Sequence, residues 1–421
     1  MITTVAVQNY RSLRELRVPL GRITVITGAN GTGKTSLYRA LRLLADCAEG
    51  QVIGSLAREG GLPSTLWAGP EVIAKAVRRG EYAVQGTTRS GPVSLQLGFA
   101  SDDFSYLIDL GIPVRNATSS FNLDPEIKRE LVWSGEVMRP ASLLVRRRRR
   151  LVELREGRQW TPITDRLQTY ESVLTEVADP VSAPELLAVR EQVRSWRFYD
   201  HFRTDPDAPA RQAQVGTRTP VLSHDGRDLA AALQTIIEIG NDAALAETVE
   251  DAFPQSSVRV RTDAGRFELE LSAHGLLRPL VAAELSDGTL RYLLLVAALL
   301  SPRPPQLMVL NEPETSLHPD LLPALGRRIA GAARASQVIV VTHSTRLAAA
   351  LDEAPECRHL VLRKRLGETR WSTGPRPALA AYPEDGATDC GGKRRVRAAS
   401  QPHSTRPKNG TVVRAMSSTG E

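Results

Sequence analysis

The sequence predicts an α/β fold organised around a phosphate-binding loop, and three observations predict it. Gly28-Ala29-Asn30-Gly31-Thr32-Gly33-Lys34-Thr35 has the spacing G-x-x-x-x-G-K-[ST]. A β-branched run, Ile23-Thr24-Val25-Ile26-Thr27, stands directly before it. Residues 35–46 come next, with Leu37, Ala40, Leu41 and Leu44 at helical spacing. A strand, a glycine turn and a helix start are what anion binding requires. The glycines let backbone N–H groups close round an anion, and the helix N-terminus adds partial positive charge. Lys34 is placed to reach the β and γ phosphates of a nucleotide, and Thr35 to ligate Mg²⁺. Ser36 extends the same loop.

The second half supplies two more strands of this kind. Leu307-Met308-Val309-Leu310 is an apolar run that ends at Asn311-Glu312-Pro313-Glu314. A carboxylate at such a strand end can face a metal and polarise an attacking water, so Glu312 is the candidate base. Gln337-Val338-Ile339-Val340-Val341-Thr342 reads as another buried strand and ends at His343. Ligands bind at the carboxyl ends of strands in open α/β sheets, which makes His343 a functional candidate; a structural histidine is the alternative.

These motifs resemble those of ABC-type ATPases. Leu285-Ser286-Asp287-Gly288-Thr289 looks like their LSGGQ signature and lies 22 residues (307 − 285) before the Walker B strand. Leu317-His318-Pro319-Asp320 looks like the D-loop, and His343 like the switch histidine. Asn9-Tyr10-Arg11-Ser12-Leu13 is similar to the opening of RecF- and SMC-like ATPases, which brings Arg11 into the nucleotide site. The resemblance, to bacterial predicted AAA-family ATPases of the RecF/SMC-like branch, covers roughly residues 1–365. It implies a P-loop NTPase fold, an ABC-type ATPase head with an antiparallel β subdomain and a helical and β insertion. It also implies ATP and Mg²⁺ as cofactors and two heads closing on two nucleotides. Ser286 and Gly288 would then contact the γ-phosphate bound by the other subunit. One residue departs from the pattern. Asn311 stands where the family has aspartate; its carbonyl can still hold a Mg²⁺-bound water, but the negative charge is missing. Glu314 is a candidate to replace that charge in part, and a simple strand-end cap is the other reading of Asn311.

The expected organisation is an N-terminal lobe over 1–112, an insertion over 113–180, a C-terminal lobe over 181–370 and a basic disordered tail over 371–421. Within these, 54–70 reads as loop, 93–97 and 105–110 as half-buried strands, and 185–194 as a helix started by Pro184. Residues 196–199 read as a strand, 228–239 as a helix, and 258–260 with 267–271 as a hairpin. No heptad array is long enough for the coiled-coil arm of an SMC protein. The tail carries 8 Lys or Arg against 4 Asp or Glu, a net +4 of the chain's +7, and too little apolar surface to order itself.

At 421 residues, 42% hydrophobic and 24% charged, the composition is that of a soluble globular protein. No apolar run reaches the length of a membrane span, and no signal peptide is apparent. The three cysteines, Cys47, Cys357 and Cys390, are scattered, which argues for a reducing cytoplasm and against a zinc site. OLD-family nucleases resemble such a head but add an acidic TOPRIM domain. The 78 residues after His343 (421 − 343) hold no acidic cluster of that kind, so nuclease activity is not expected.

Arg146 to Arg150 form a run of five arginines. A non-specific DNA patch is one reading; a solvated hairpin whose arginines protect an edge strand is the other. The resemblance thus implies an ATPase that dimerises around ATP and serves DNA-linked maintenance, repair or phage defence. An ATP-sensing scaffold that regulates a protein effector with little turnover is the alternative.

Overall fold

The parallel sheet begins with β3 (Ile23–Gly28), whose β-branched run is buried over Ile23, Thr24, Val25 and Ile26. Its neighbours are β15 (Leu307–Asn311), β16 (Gln337–Val341) and β17 (Cys357–Arg365). With β10 (Arg197–Tyr199) and the antiparallel edge strand β18 (Glu368–Thr373), the order is β10-β15-β16-β3-β17-β18. Strands covered on both faces need apolar residues at successive positions, which is why these segments lack alternation. The first helix, α1 (Lys34–Ala48), lays Leu37, Leu41 and Leu44 against one face. α8 (Asp287–Leu299), α9 (Leu322–Ala332) and α10 (Thr345–Asp352) bury theirs in a second core that also holds Val25, Leu310 and Val340. This computed structural model describes residues 1–70, 94–113 and 117–373, so the tail from 374 on and Cys390 lie outside the described residues.

An antiparallel sheet of eight strands joins that core, in the order β2-β1-β4-β5-β6-β7-β8-β9. It runs through β1 (Ile2–Tyr10), β2 (Leu13–Pro19), β4 (Leu95–Ser101) and β5 (Phe104–Gly111). β6 (Glu126–Ser134), β7 (Leu143–Arg148), β8 (Leu151–Glu156) and β9 (Gln159–Thr164) complete it. The segment 113–180 therefore carries strands that continue the sheet of the first lobe, since β6 pairs with β5. It ends near the short helix α4 (Val173–Glu176). A smaller sheet contains the expected hairpin, β12 (Ser256–Asp263) and β13 (Arg266–Ala273), turning at Ala264-Gly265. The short strands β11 (Gln214–Val215) and β14 (Leu280–Val281) also pair with β13. Helices α5 (Pro184–Arg194) and α6 (Leu229–Ile239) lie where the sequence places them, and α7 (Asp242–Ala252) leads into the hairpin.

Three local readings change. Residues 54–70 are not simply loop: α2 (Val52–Arg58) and α3 (Leu62–Thr65) occupy much of the stretch, and Val52 and Leu56 form a buried i, i+4 pair around Gly54. The strand expected over 93–97 begins at Leu95; Val93 lies outside the described residues. The tail is expected from 371, yet Trp371 belongs to β18 and its indole donates to the Arg17 carbonyl at 2.5 Å.

The arginine run is corrected in its chemistry. β7 lies inside the sheet between β6 and β8, so it is not an edge strand. Alternation turns Arg147 inward, where it is fully buried against the equally buried Glu130 at 2.6 Å. Glu130 also accepts from Tyr106 Oη and Ser172 Oγ at 2.6 Å each and from the Val173 amide at 3.0 Å. Arg147 further donates to the carbonyls of Gln168 and Glu171. Arg146 is bidentate on Glu153 and stacks 4.1 Å from the Trp160 ring centre. Arg148, Arg149 and Arg150 remain exposed at the turn. Removing one member of a buried pair leaves an uncompensated charge. Arg147→Met is therefore expected to cost about 3–5 kcal/mol in denaturant unfolding. The double variant Arg147→Met/Glu130→Leu should recover part of it.

Candidate functional site

Two glycines let the phosphate loop sit against the strands behind it. Gly28 has φ 149°, and a Cβ there would stand 2.5 Å from the Leu362 carbonyl of β17. Gly33 has φ 105°, and a Cβ there would collide with Thr369 Oγ1 and crowd Ser12 Oγ. Thr369 ties these pieces together. Its hydroxyl donates to the Thr32 carbonyl and is hydrogen-bonded with the Ser12 hydroxyl, each at 2.8 Å, and its amide donates to the Ser12 carbonyl at 2.8 Å. Thr32 is itself buried and donates to the Ala29 carbonyl at 2.8 Å. The Lys34 ammonium folds back onto the carbonyls of Gly28 (2.5 Å) and Ala29 (3.1 Å). Burial pushes its pKa below the usual lysine range, and the charges of Glu312 and Glu314 partly offset that.

The loop opens on a cavity of about 470 Å³. Asn30, Gly31, Gly33, Lys34, Thr35 and Ser36 line it from the loop, Arg11 and Ser12 from the β1–β2 turn, and Glu312, His343 and Lys364 from the strand ends. Gly28, Ala29 and Thr32 shape the loop from behind without lining the cavity. Arg11 is held by Glu59, with Nη2 at 2.6 Å and Nε at 3.1 Å.

Glu312 and His343 meet at 3.2 Å between Oε1 and Nε2. Glu312 adopts φ 48°, a left-handed conformation that costs a non-glycine residue energy and is held by its surroundings. Its amide donates to the Val341 carbonyl at 2.7 Å, and its carbonyl accepts from the buried Arg291 at 3.2 Å. Burial also pushes the pKa of Arg291 below its ordinary value, against the favourable charges of Glu314, Asp200 and Glu312. Glu314 has a separate task. One of its carboxylate oxygens accepts from Thr342 Oγ1 (2.6 Å) and from the amides of His343 (2.7 Å) and Ser344 (3.1 Å), which fixes the histidine loop.

Asn311 does not line the cavity. Its amide Nδ2 donates to Asp200 Oδ1 at 2.6 Å. The parallel register pairs Tyr199 with Leu310, so the next residues, Asp200 and Asn311, emerge side by side. Asn311 is thus in direct contact with the carboxylate of Asp200, a residue that no motif marks in the sequence. The Thr35 hydroxyl and the Glu312 carboxylate, which line the cavity, are oxygen donors. That set suits a hard cation such as Mg²⁺.

Ser286 and Gly288 are not brought to the phosphate cavity. Ser286 caps α8, accepting from the Thr289 amide at 3.1 Å. A Cβ on Gly288 would stand 2.8 Å from the Ser316 carbonyl, so the signature turn packs on the D-loop stretch. The two line a hollow of about 690 Å³ that shares no residue with the phosphate cavity. Arg211, likewise unmarked in the sequence, braces this turn. It is buried and donates to the carbonyls of Ala282 (3.1 Å) and Leu285 (2.7 Å) and to Asp287 Oδ1 (2.7 Å).

The family model described as "AAA domain, putative AbiEii toxin, Type IV TA system" matches residues 23–349. The chain belongs to this family. It accordingly carries an AAA-type P-loop ATPase domain. An uncharacterized protein of Methanocaldococcus jannaschii is 29% identical over 143 residues, which cover 32% of this chain and 58% of that protein. The OLD nuclease of Thermus scotoductus is 43% identical over 44 residues, 10% of this chain and 8% of the nuclease. The chain thus spans 58% and 8% of the lengths of these two relatives. Among solved structures, an SMC head bound to the C-terminal winged-helix domain of ScpA is similar with TM-score 0.48 and 13% identity, over 88% of this chain and 97% of that one. The SMC head domain from Thermotoga maritima gives 0.46 and 12%, over 89% and 99%.

Asn311→Asp tests the pairing with Asp200. Two carboxylates in this contact raise each other's pKa, so the penalty on stability grows as pH rises through those values. Without metal at pH 8 the AAA-domain protein should melt about 2 °C lower than wild type. Mg²⁺ should raise the melting temperature more in the variant than in the wild type, as read by calorimetry.

Proposed function

We propose that this chain binds and hydrolyses ATP, slowly, and that two copies close around two nucleotides. One observation carries the reading: Lys34, Thr35, Arg11, Glu312 and His343 share one cavity while Ser286 and Gly288 stand outside it. A signature turn without a phosphate of its own on the same subunit is what a two-copy site requires. In this reading Lys34 and Arg11 take the β and γ phosphates, with the loop amides and Ser36 around them. Glu312 orients and deprotonates water, and His343, in contact with Glu312, holds the terminal phosphate end. Thr35, with the Asn311–Asp200 pair through water, would hold Mg²⁺, which supplies charge neutralisation on the phosphates. Closure by ATP and release after hydrolysis is a population shift driven by different affinities for the two nucleotides.

Asn311 favours slow turnover, and at its limit the protein is an ATP-sensing scaffold for a protein effector. Among the described residues no helix is long and apolar enough to cross a membrane, and we place the protein in the cytoplasm. A role in DNA-linked maintenance, repair or phage defence accords with the short match to an OLD nuclease. The arginine run lends little to DNA binding, because Arg146 and Arg147 are committed to Glu153 and Glu130.

Lys34→Ala should remove ATP binding in calorimetry, and retention of wild-type affinity would refute the phosphate-loop assignment. Glu312→Gln should keep ATP binding, lower phosphate release by about 10²-fold or more, and accumulate an ATP-bound dimer in sedimentation. Ser286→Arg in that background should bind ATP as a monomer; a normal dimer there would sink the two-copy model.

A further inference from the structure

The order of strands gives the cavity a direction. Glu312 comes after β15 and His343 after β16, both on one side of β3. β17 lies on the other side, paired with β3 from Cys357↔Ile23 to Leu362↔Gly28. At Gly28 the backbone of β3 leaves the sheet to form the phosphate loop, while β17 runs on for three more residues, Arg363, Lys364 and Arg365. Residues two apart in a strand share a face. Leu362 packs in the core that holds Leu37 and Leu41 of α1. Lys364 therefore projects on the α1 side, beyond the loop, and it lines the phosphate cavity. Its strand partner is Thr369, the residue that clamps Thr32 and Ser12. The wall that carries Lys364 is thus the same one that fixes the phosphate loop.

The three cations of the cavity differ in availability. Arg11 is bound to Glu59, and Lys34 is folded onto the loop carbonyls. Lys364 is exposed and has no salt-bridge partner among the described residues. A triphosphate whose terminal phosphate faces Glu312 and His343 directs its other end across β3 toward β17. We infer that Lys364 is a nucleotide-binding residue that takes the α-phosphate end, the part that ATP and ADP have in common. This rests on the proposed ATP site and adds to it a contact that does not discriminate between the two nucleotides. The loop lysine and the Glu312–His343 pair supply the discrimination instead.

The chemistry is a charge-assisted hydrogen bond from an ammonium to a phosphate oxygen. Its loss should weaken binding about tenfold. The experiment is calorimetric titration of the full chain with ATP and with ADP, for wild type, Lys364→Met and Lys364→Arg. Circular dichroism melts confirm that each is folded. The expected result is a loss of about tenfold for both nucleotides by the same factor in Lys364→Met, with most of the affinity kept in Lys364→Arg. A loss for ATP with none for ADP would move Lys364 to the terminal phosphate and overturn the inference. Wild-type affinity of Lys364→Met for both nucleotides would overturn it as well, leaving the proposed function standing. A wild-type protein that binds neither nucleotide would overturn the proposed function, and this inference with it.

Discussion

The cavity depends on the clamp behind the phosphate loop. A turn that presents consecutive amides to an anion leaves those amides, and the helix start that follows, without backbone partners. Here the shape is imposed from two sides. β17 meets Gly28 along its backbone, and Thr369 of β18 reaches Thr32 and Ser12 at once. The β1–β2 turn is thereby joined to the loop, which brings Arg11 to the cavity although 17 residues separate it from Gly28 (28 − 11). No side chain larger than glycine fits at Gly28 or Gly33 without moving that frame, so the glycines of the motif answer to packing as well as to backbone angle.

The parallel register then decides which residues meet. Five strands end on one edge, and each delivers side chains from its carboxyl end. Asp200 comes after β10, Asn311 and Glu312 at the end of β15, Thr342 and His343 after β16, the loop after β3, and Lys364 near the end of β17. The row runs from carboxylates through an imidazole to an ammonium. Such a gradient of charge gives the edge a direction for any bound polyanion. The left-handed bend at Glu312 belongs to this layout. Without it the chain would continue along the β15 axis, and the bend is held because the Val341 carbonyl and Arg291 take both of its backbone polar groups.

Legibility in the sequence was a matter of locality. The strands at 23–27, 307–310 and 337–342 and the helix after the loop were legible because apolar periodicity and the glycine spacing lie within one short window. Residues whose role depends on distant partners were not. Thr369 acts on Ser12 across 357 positions, Asp200 on Asn311 across 111, and Arg211 on Leu285 across 74. The arginine run misled for the same reason: nothing beside Arg147 announces that Glu130 waits for it on the neighbouring strand. Gly54 hid α2 because a mid-helix glycine weakens the local signal while Val52 and Leu56 still pack. The β12–β13 hairpin was visible because Ala264-Gly265 turns it within a few residues.

The helix that starts at the signature turn also reaches Glu312. Ser286 caps α8, and Arg291, five residues on (291 − 286), sends its guanidinium to the carbonyls of Glu312 and Asp200. The guanidinium is buried, and its Nε has no partner, so it tolerates little displacement without losing the bonds that offset its desolvation. Arg211 adds a second rigid connection, from the signature turn to the Thr204 carbonyl in the segment after β10. The signature turn and Glu312 are therefore both tied to the first turns of one helix, although the hollows they line share no residue.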